Sequence, residues 1–407
     1  MNVLYLHQHF TTRAGSTGTR SYEMARELVS RGHKVHIVCG SFEVASSGLV
    51  GDFVNGRRTG EVDGIRVTEF HIPYSNSDSL ISRSKAFLGF AMRTTGVAMK
   101  EPYDLVFATS TPLTASIPGI AARYFRRKPF VFEVRDLWPE LPRAMGVITN
   151  PVVLSLLSGL EWLSYRAAKA SVGLSPGIVE GIKARSRRAQ PVAMIPNGCD
   201  VDLFVEPQSN KYDRKYTNKD PFTAIFSGAH GRANGLDAVL DAAVELKRQG
   251  RDDIRLLFIG EGGLKPSLVK RAKNEGLNNC EFRPVIPKTE LVDLLAKIDV
   301  GLMCLANIPA FYYGTSPNKF FDYLAAGLPV VNNYPGWVAS IVEDDKLGTV
   351  VEPQNPVEFA AALCNLADNP AQMRKMAANA RACADNRFNR KHLAKEFVDF
   401  LEVVVTE

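Results

Sequence analysis

Twice along the chain, near residues 2–32 and again near 224–248, a short β-rich apolar run passes through a glycine-containing loop into an amphipathic helix. That order opens a βαβ unit in a parallel sheet, and its recurrence in each half points to two α/β domains of Rossmann-like type. In the first half, residues 2–6 read as a buried strand, the loop 7–17 carries Gly15, and residues 18–31 read as a helix closed by Gly32. Further strands are expected at 35–39, 65–70, 105–109, 130–134, 170–174 and 192–195. The second half repeats the scheme with strands at 224–226, 255–259, 280–282, 299–304 and 328–332. The polar stretch 206–220 between them reads as a linker. The resulting division is 1–205, linker 206–220, and 221–390, with a last helix at 391–407 expected to return to the first domain.

A chain of 407 residues with 45% apolar and 23% charged residues suits two ordinary cores. No apolar run reaches the roughly 18 residues that cross a bilayer, and the start lacks the features of a secretory signal, so a cytoplasmic protein is expected. The six cysteines are scattered without a C-x-x-C pair, which supports neither zinc nor a disulfide framework. Net charge is +7 over residues 1–205 and −1 over 206–407. The basic excess concentrates at Arg83, Lys85, Arg93, Lys100, Arg123, Arg126, Arg127 and Lys128, a patch that favours an anionic surface. Within it, residues 79–100 mix apolar and basic side chains in the manner of an amphipathic helix lying on anionic lipid, or of a solvated helix packed on its own domain.

Residues 316–331 carry the densest chemistry. Ser316 is a good helix cap and Pro317 suits a first helical position, so N–H groups near Asn318 and Phe320 are expected to point outward and attract phosphate. Lys319 adds a positive charge at the same end. One turn inward, Asp322 offers a carboxylate able to accept from both hydroxyls of a ribose. Gly327 and Pro329 stop the helix and start a strand. Together they describe a site for a nucleotide diphosphate.

Four segments then match a known pattern: the opening strand, loop and helix ending Arg-Gly-His-Lys-Val at 31–35; Glu-Val-Arg-Asp-Leu-Trp-Pro-Glu at 133–140; Ile-Pro-Asn-Gly-Cys-Asp at 195–200 with Phe204; and the block 316–331. On these the chain resembles the family 4 glycosyltransferases of the GT-B fold, in the branch that extends bacterial lipid-linked surface polysaccharides of O-antigen or capsule type, including fucosamine-transferase-like members. The resemblance implies two Rossmann-like domains facing a central cleft. It also implies a nucleotide-sugar donor, UDP-linked by expectation, held mainly by the second domain, and a polyprenyl-diphosphate-linked glycan acceptor held by the first. Retention of anomeric configuration follows from it, by front-face attack without a protein nucleophile.

The sequence departs from that family at two places. The arginine and lysine that neutralise the leaving diphosphate align with Ala229 and Asn234; Arg232 is the candidate replacement and Asn234 a neutral donor. Of the paired glutamates seven residues apart, Asp322 takes the place of the second and Gly314 stands where the first would be. Arg283 and Val285 occupy the segment through whose backbone groups, the resemblance implies, the base is read, and Lys288 beside them is either a phosphate contact or an exposed loop lysine. In the first domain Gly15, Ser16 and Thr17 are expected to let the backbone approach the donor phosphates. Glu133, Arg135 and Asp136 follow a buried strand at its carboxyl end, the ligand side of open α/β sheets. Asp136 is expected to orient an acceptor or donor hydroxyl, and Arg135 to contact phosphate or brace Asp136; Glu133 and Arg135 are placed on the acceptor side. Asp136, Arg232 and Lys319 form the expected catalytic set. His7 and His9 receive no role. No metal or other cofactor is expected, and no nucleic-acid partner; attachment to the inner face of the cytoplasmic membrane is.

Four readings compete at this stage: transfer to a lipid-linked acceptor, transfer to a soluble acceptor, a nucleotide-sugar epimerase of the same architecture, and a non-catalytic binding protein whose site has lost the first carboxylate and the Arg/Lys pair.

Overall fold

The computed structural model describes residues 1–75, 78–186, 189–205 and 211–406. They form two compact units: Met1–Pro196 with Gly314–Ser316 and Lys391–Glu407, and Asn197–Tyr313 with Pro317–Arg390.

The first unit is built on an eight-stranded sheet, β1 (Asn2–Leu6), β2 (Lys34–Gly40), β3 (Arg57–Val62), β4 (Ile65–Phe70), β5 (Leu105–Thr109), β6 (Phe130–Val134), β7 (Ala170–Gly173) and β8 (Val192–Met194), in the order β3-β4-β2-β1-β5-β6-β7-β8. Every neighbouring pair is parallel except β3 with β4. The strands read as continuous apolar runs because both faces are covered: Val3 and Tyr5 enter one hydrophobic cluster, Leu4 and Leu6 the other. β3 escaped the sequence reading because Arg-Arg-Thr-Gly-Glu-Val is an edge strand with little apolar content. The last helix, Arg390–Thr406, places Leu393, Phe397, Leu401 and Val404 in the first cluster, with Phe397 set edge-on to Phe107 at 5.0 Å.

The second unit has a six-stranded, wholly parallel sheet, β9 (Phe222–Ser227), β10 (Ile254–Ile259), β11 (Cys280–Arg283), β12 (Val300–Met303), β13 (Val330–Asn332) and β14 (Gly348–Val350), ordered β11-β10-β9-β12-β13-β14. In each sheet the order reverses about the first strand: β1 lies between β2 and β5, and β9 between β10 and β12. Open parallel sheets bind ligands outside the carboxyl ends of the strands at that reversal.

The expected linker needs correction. Residues 206–210 lie outside the described residues, and the change of unit comes at Pro196/Asn197. Residues 211–220 pack on the second unit. Tyr212 is buried in its core, while Arg214 and Tyr216 both hydrogen-bond the buried carboxylate of Asp299. Polar composition concealed two aromatic anchors.

Candidate functional site

In the second unit the site is assembled around the end of β9. Gly228 leaves the strand at φ +151°, and the loop runs through a 3₁₀ turn, Arg232–Asn234, to Gly235 at φ +55°. A Cβ on Gly235 would stand 2.8 Å from the backbone of Ala306, so the loop after β9 closes directly on the loop after β12, sealed by Ala306 N–H donating to Ala233 O at 2.9 Å. Helix Asn318–Ala325 is locked to the same strand end by Tyr323. Its ring lies over Gly301, where a Cβ would approach to 2.3 Å, and its hydroxyl accepts from Ser227 N–H at 3.0 Å and donates to Ile225 O at 3.2 Å. Tyr323 was missed at the sequence level because a tyrosine in a helix carries no sign of which strand it grips.

That anchor aims Lys319. Its ammonium donates to Asn234 Oδ1 at 2.9 Å and sits 4.0 Å from the centre of the Phe226 ring. Asn234 in turn donates through Nδ2 to Ala229 O at 2.7 Å, which fixes its amide orientation. Burial lowers Lys319 to about 8, so the group remains largely cationic at neutral pH. The structure thus brings Lys319 and Asn234 together, and Asn234 positions a charge instead of replacing one. Arg232 stands exposed on the same loop.

Several expectations change. The helix begins at Asn318, Pro317 occupies the cap position in extended conformation, and Ser316 groups with the first unit, so Ser316 does not cap this helix. The Phe320 N–H is committed to Pro317 O at 3.1 Å and is not a free donor, and the Phe320 side chain is wholly buried. Asp322 is buried and ion-paired through Oδ1 with Lys288, itself 3.9 Å from Asp200, which pairs with Arg390. Lys288 is therefore no exposed loop lysine: it is 8% exposed and holds the carboxylate in place. Arg283 is exposed and tied to Glu281 at 2.6 Å, while its carbonyl accepts from Lys265 at 2.9 Å; Val285 follows it half-buried.

In the first unit the loop after β1 is self-satisfied. Gly15 N–H donates to Thr12 O and Ser16 N–H to Val44 O, and a Cβ on Gly15 would strike Thr11 Oγ1 at 2.0 Å. Glycine is needed there for the loop's own packing, and neither amide is left for phosphate. Thr17 Oγ1 is buried without a partner among the described residues. Glu133 is fully buried. It receives Arg20 at 2.8 Å, Thr109 Oγ1 at 2.9 Å and Arg135 Nε at 3.2 Å, so it is a brace and not an acceptor contact. Arg135 is held by that carboxylate, by Thr109 Oγ1 at 2.7 Å and by Ser21 Oγ at 3.2 Å; it braces Glu133, not Asp136.

Asp136 makes no hydrogen bond or ion pair with the described residues. Burial raises its carboxyl to about 6, against the opposing pull of Arg135. If it acts as a carboxylate, kcat/KM should fall about tenfold per pH unit below pH 6, and Asp136→Asn should be slow and flat across that limb. The linked stability has the opposite sense: a raised folded pKa means that ionisation weakens the fold as pH climbs from about 4 to about 6. A pH–rate profile with no wild-type limb near 6, or an unchanged limb in the variant, would remove Asp136 from the chemistry.

Among the described residues no group of three or more His, Cys, Asp or Glu converges as a metal ligand set, and no helix is long and apolar enough to cross a membrane.

Comparison with known proteins bears on this geometry. Residues 15–198 match the glycosyl transferase 4-like domain, and residues 208–382 the group 1 glycosyl transferases. A D-inositol 3-phosphate glycosyltransferase of Catenulispora acidiphila is 23% identical over 392 residues, covering 92% of this chain and 87% of its own. The D-rhamnosyltransferase WbpZ of Pseudomonas aeruginosa is 24% identical over 58% of this chain and 60% of its own. Among solved structures, sucrose-phosphate synthase from Thermosynechococcus elongatus superposes with a TM-score of 0.77 at 15% identity, covering 100% of this chain and 99% of that one. HepE of Anabaena in complex with UDP superposes at 0.68 with 18% identity, covering 99% and 100%.

Proposed function

We propose, on the premise that the chain is a glycosyltransferase of the GT-B fold, that it moves a sugar from a UDP-linked donor to a lipid-linked saccharide in surface polysaccharide synthesis, with retention of configuration. The observation that carries the donor half is the Lys319–Asn234 contact at the glycine-lined end of β9. A cation fixed over an aromatic ring beside backbone at positive φ is prepared for a diphosphate leaving group, whose developing charge it stabilises without reorganising. Asp322 Oδ2, which makes no hydrogen bond among the described residues, is the acceptor offered to the ribose. HepE was solved with UDP and with UDP-glucose, which supports a uridine donor. Arg232 stands exposed on the loop after β9, and Arg283 and Val285 lie at the carboxyl end of β11 in the same sheet.

The acceptor half rests on the first unit. Helix Leu80–Lys100 has no acidic residue in 21 and exposes Ile81 and Met92 at 71% and 70%. Charge and apolar surface together favour an anionic membrane face, hence a peripheral enzyme on the cytoplasmic side. The inositol-phosphate glycosyltransferases that align over nearly the whole chain favour a second reading, a soluble phosphorylated acceptor.

One experiment separates them. Purified enzyme is given a panel of radiolabelled UDP-sugars with bacterial membranes or with inositol 3-phosphate, and label is followed into organic extract and soluble product. Label in the organic phase that requires enzyme supports the lipid-linked reading. Label only in soluble product replaces it, and release of UDP with isomerised sugar and no acceptor would mark an epimerase.

A further inference from the structure

The carboxyl edge of the first sheet holds an aromatic box that the donor chemistry does not use. The His9 ring lies 4.6 Å from Tyr74, 5.0 Å from Phe42 and 6.4 Å from Phe87, and Tyr74 stacks on Phe87 at 5.5 Å with 28° between planes. Phe42 and Phe87 are half-buried, so the box has an open side. Polar groups at this strand end are left without partners among the described residues. They include Nδ1 of both His7 and His9, both amide atoms of Gln8, and Nε of Arg83. Buried groups of this kind are normally satisfied, and a run of three consecutive residues with orphaned atoms indicates a polar ligand or ordered water.

The charge around the box is positive. Arg83 lies over Tyr74 with its guanidinium carbon 5.7 Å from the ring centre. Burial, then the charges of Arg135 and Arg83, holds His9 down to about 3, so its imidazole is neutral within the field of two guanidiniums. Of the nearby acids, Asp78 accepts from Ser75 N–H at 2.9 Å, and Glu43 is exposed at the rim. Arg83 belongs to the first turn of helix Leu80–Lys100, whose Leu80, Ile81 and Leu88 are exposed beside it at 50%, 71% and 52%.

We propose that the box of His9, Phe42, Tyr74 and Phe87, flanked by Arg83 and Arg135, binds the phosphate of the acceptor, with the exposed apolar turns of the following helix taking its hydrocarbon chain. The subsite deepens the reading of a lipid-linked acceptor and rests on it. Guanidinium forks match phosphate oxygens, the imidazole supplies a neutral donor, and the rings cover the carbons next to the phosphoester.

The test measures binding by titration calorimetry with the donor site saturated by UDP. Probes are farnesyl diphosphate, farnesol, inorganic diphosphate and inositol 3-phosphate; proteins are wild type, Arg83→Ala and Phe87→Ala. Farnesyl diphosphate is expected to bind best, with at least a tenfold loss in each variant while both keep wild-type affinity for UDP. Equal binding of farnesyl diphosphate and farnesol, or equal binding by wild type and Arg83→Ala, overturns the subsite. Inositol 3-phosphate binding tighter than farnesyl diphosphate, and weakened by Arg83→Ala, keeps the phosphate contact and overturns the lipid part. UDP binding without any prenyl diphosphate binding overturns this inference alone; failure of wild type to bind UDP overturns the donor reading beneath it.

Discussion

Lys319→Met is expected to lower sugar transfer by about 100- to 1,000-fold while leaving the second unit folded, the loss typical of removing one preorganised stabiliser of transition-state charge. Lys319 contributes little to the fold. Among the described residues it makes one hydrogen bond, to Asn234, and one contact with an aromatic face, and its lowered pKa records that burial opposes its charge. Methionine fills a similar volume and removes the charge, so melting temperature should hold or rise slightly. The effect should fall mainly on kcat, since the diphosphate gains charge as the glycosidic bond breaks and the cation matters most then. Asn234→Ala is the accompanying control. It frees the ammonium without deleting it, and a smaller loss is expected. Transfer within threefold of wild type in Lys319→Met would exclude Lys319 from leaving-group stabilisation and shift that role to exposed Arg232.

How far the sequence could be read follows from the range of the interactions involved. Alternation and run length are local, and they located twelve of the fourteen strands among the described residues, missing the polar edge strand at Arg57–Val62 and the short last strand Gly348–Val350. Helix punctuation is local too, yet it shifted by one residue at Pro317, because the extended backbone there serves as the cap. Lys319 and Asn234 could be singled out from local signals, a helix start and a glycine-bounded loop, but the contact between them could not. Pairings across distance were not legible. Lys288 and Asp322 are 34 residues apart, Tyr323 and Ser227 are 96, and Arg20 and Glu133 are 113. Nothing nearby in the chain marks such a partner on another element, so Tyr323 and Arg20 carry no local signal and Lys288 reads either as a phosphate contact or as an exposed loop lysine. Glycine at position 15 misled for a related reason: its missing side chain leaves room for Thr11 and Ser46, not for a ligand.

The Arg20–Glu133 pair carries the second large expectation. Arg20→Ala should destabilise the first unit by about 3–5 kcal/mol, the range for removing one partner of a buried ion pair. Both side chains are fully buried, with Arg20 also donating to Pro196 O at 2.6 Å, so the arginine ties the start of the first helix to the end of β6 and to the last residue of the unit's first segment. Burial pushes the Glu133 carboxyl up, but Arg20 and Arg135 outweigh it and hold the group below its ordinary range. A lowered folded pKa gives stability that is present at neutral pH and lost as pH falls through that value, so the variant's deficit should be largest near pH 7 and shrink in acid. Adding Glu133→Gln to Arg20→Ala removes the stranded charge and should recover part of the loss. Hydrogen exchange on peptides covering β1, β5 and β6 reads the first unit alone; protection there should fall at least 100-fold in the single variant, with second-unit peptides unchanged. A deficit below about 1 kcal/mol would mean that Glu133 is satisfied by Arg135 and Thr109 without help. In that case Arg135 would be fully engaged as its counter-ion, and the positive flank proposed for the acceptor phosphate would reduce to Arg83.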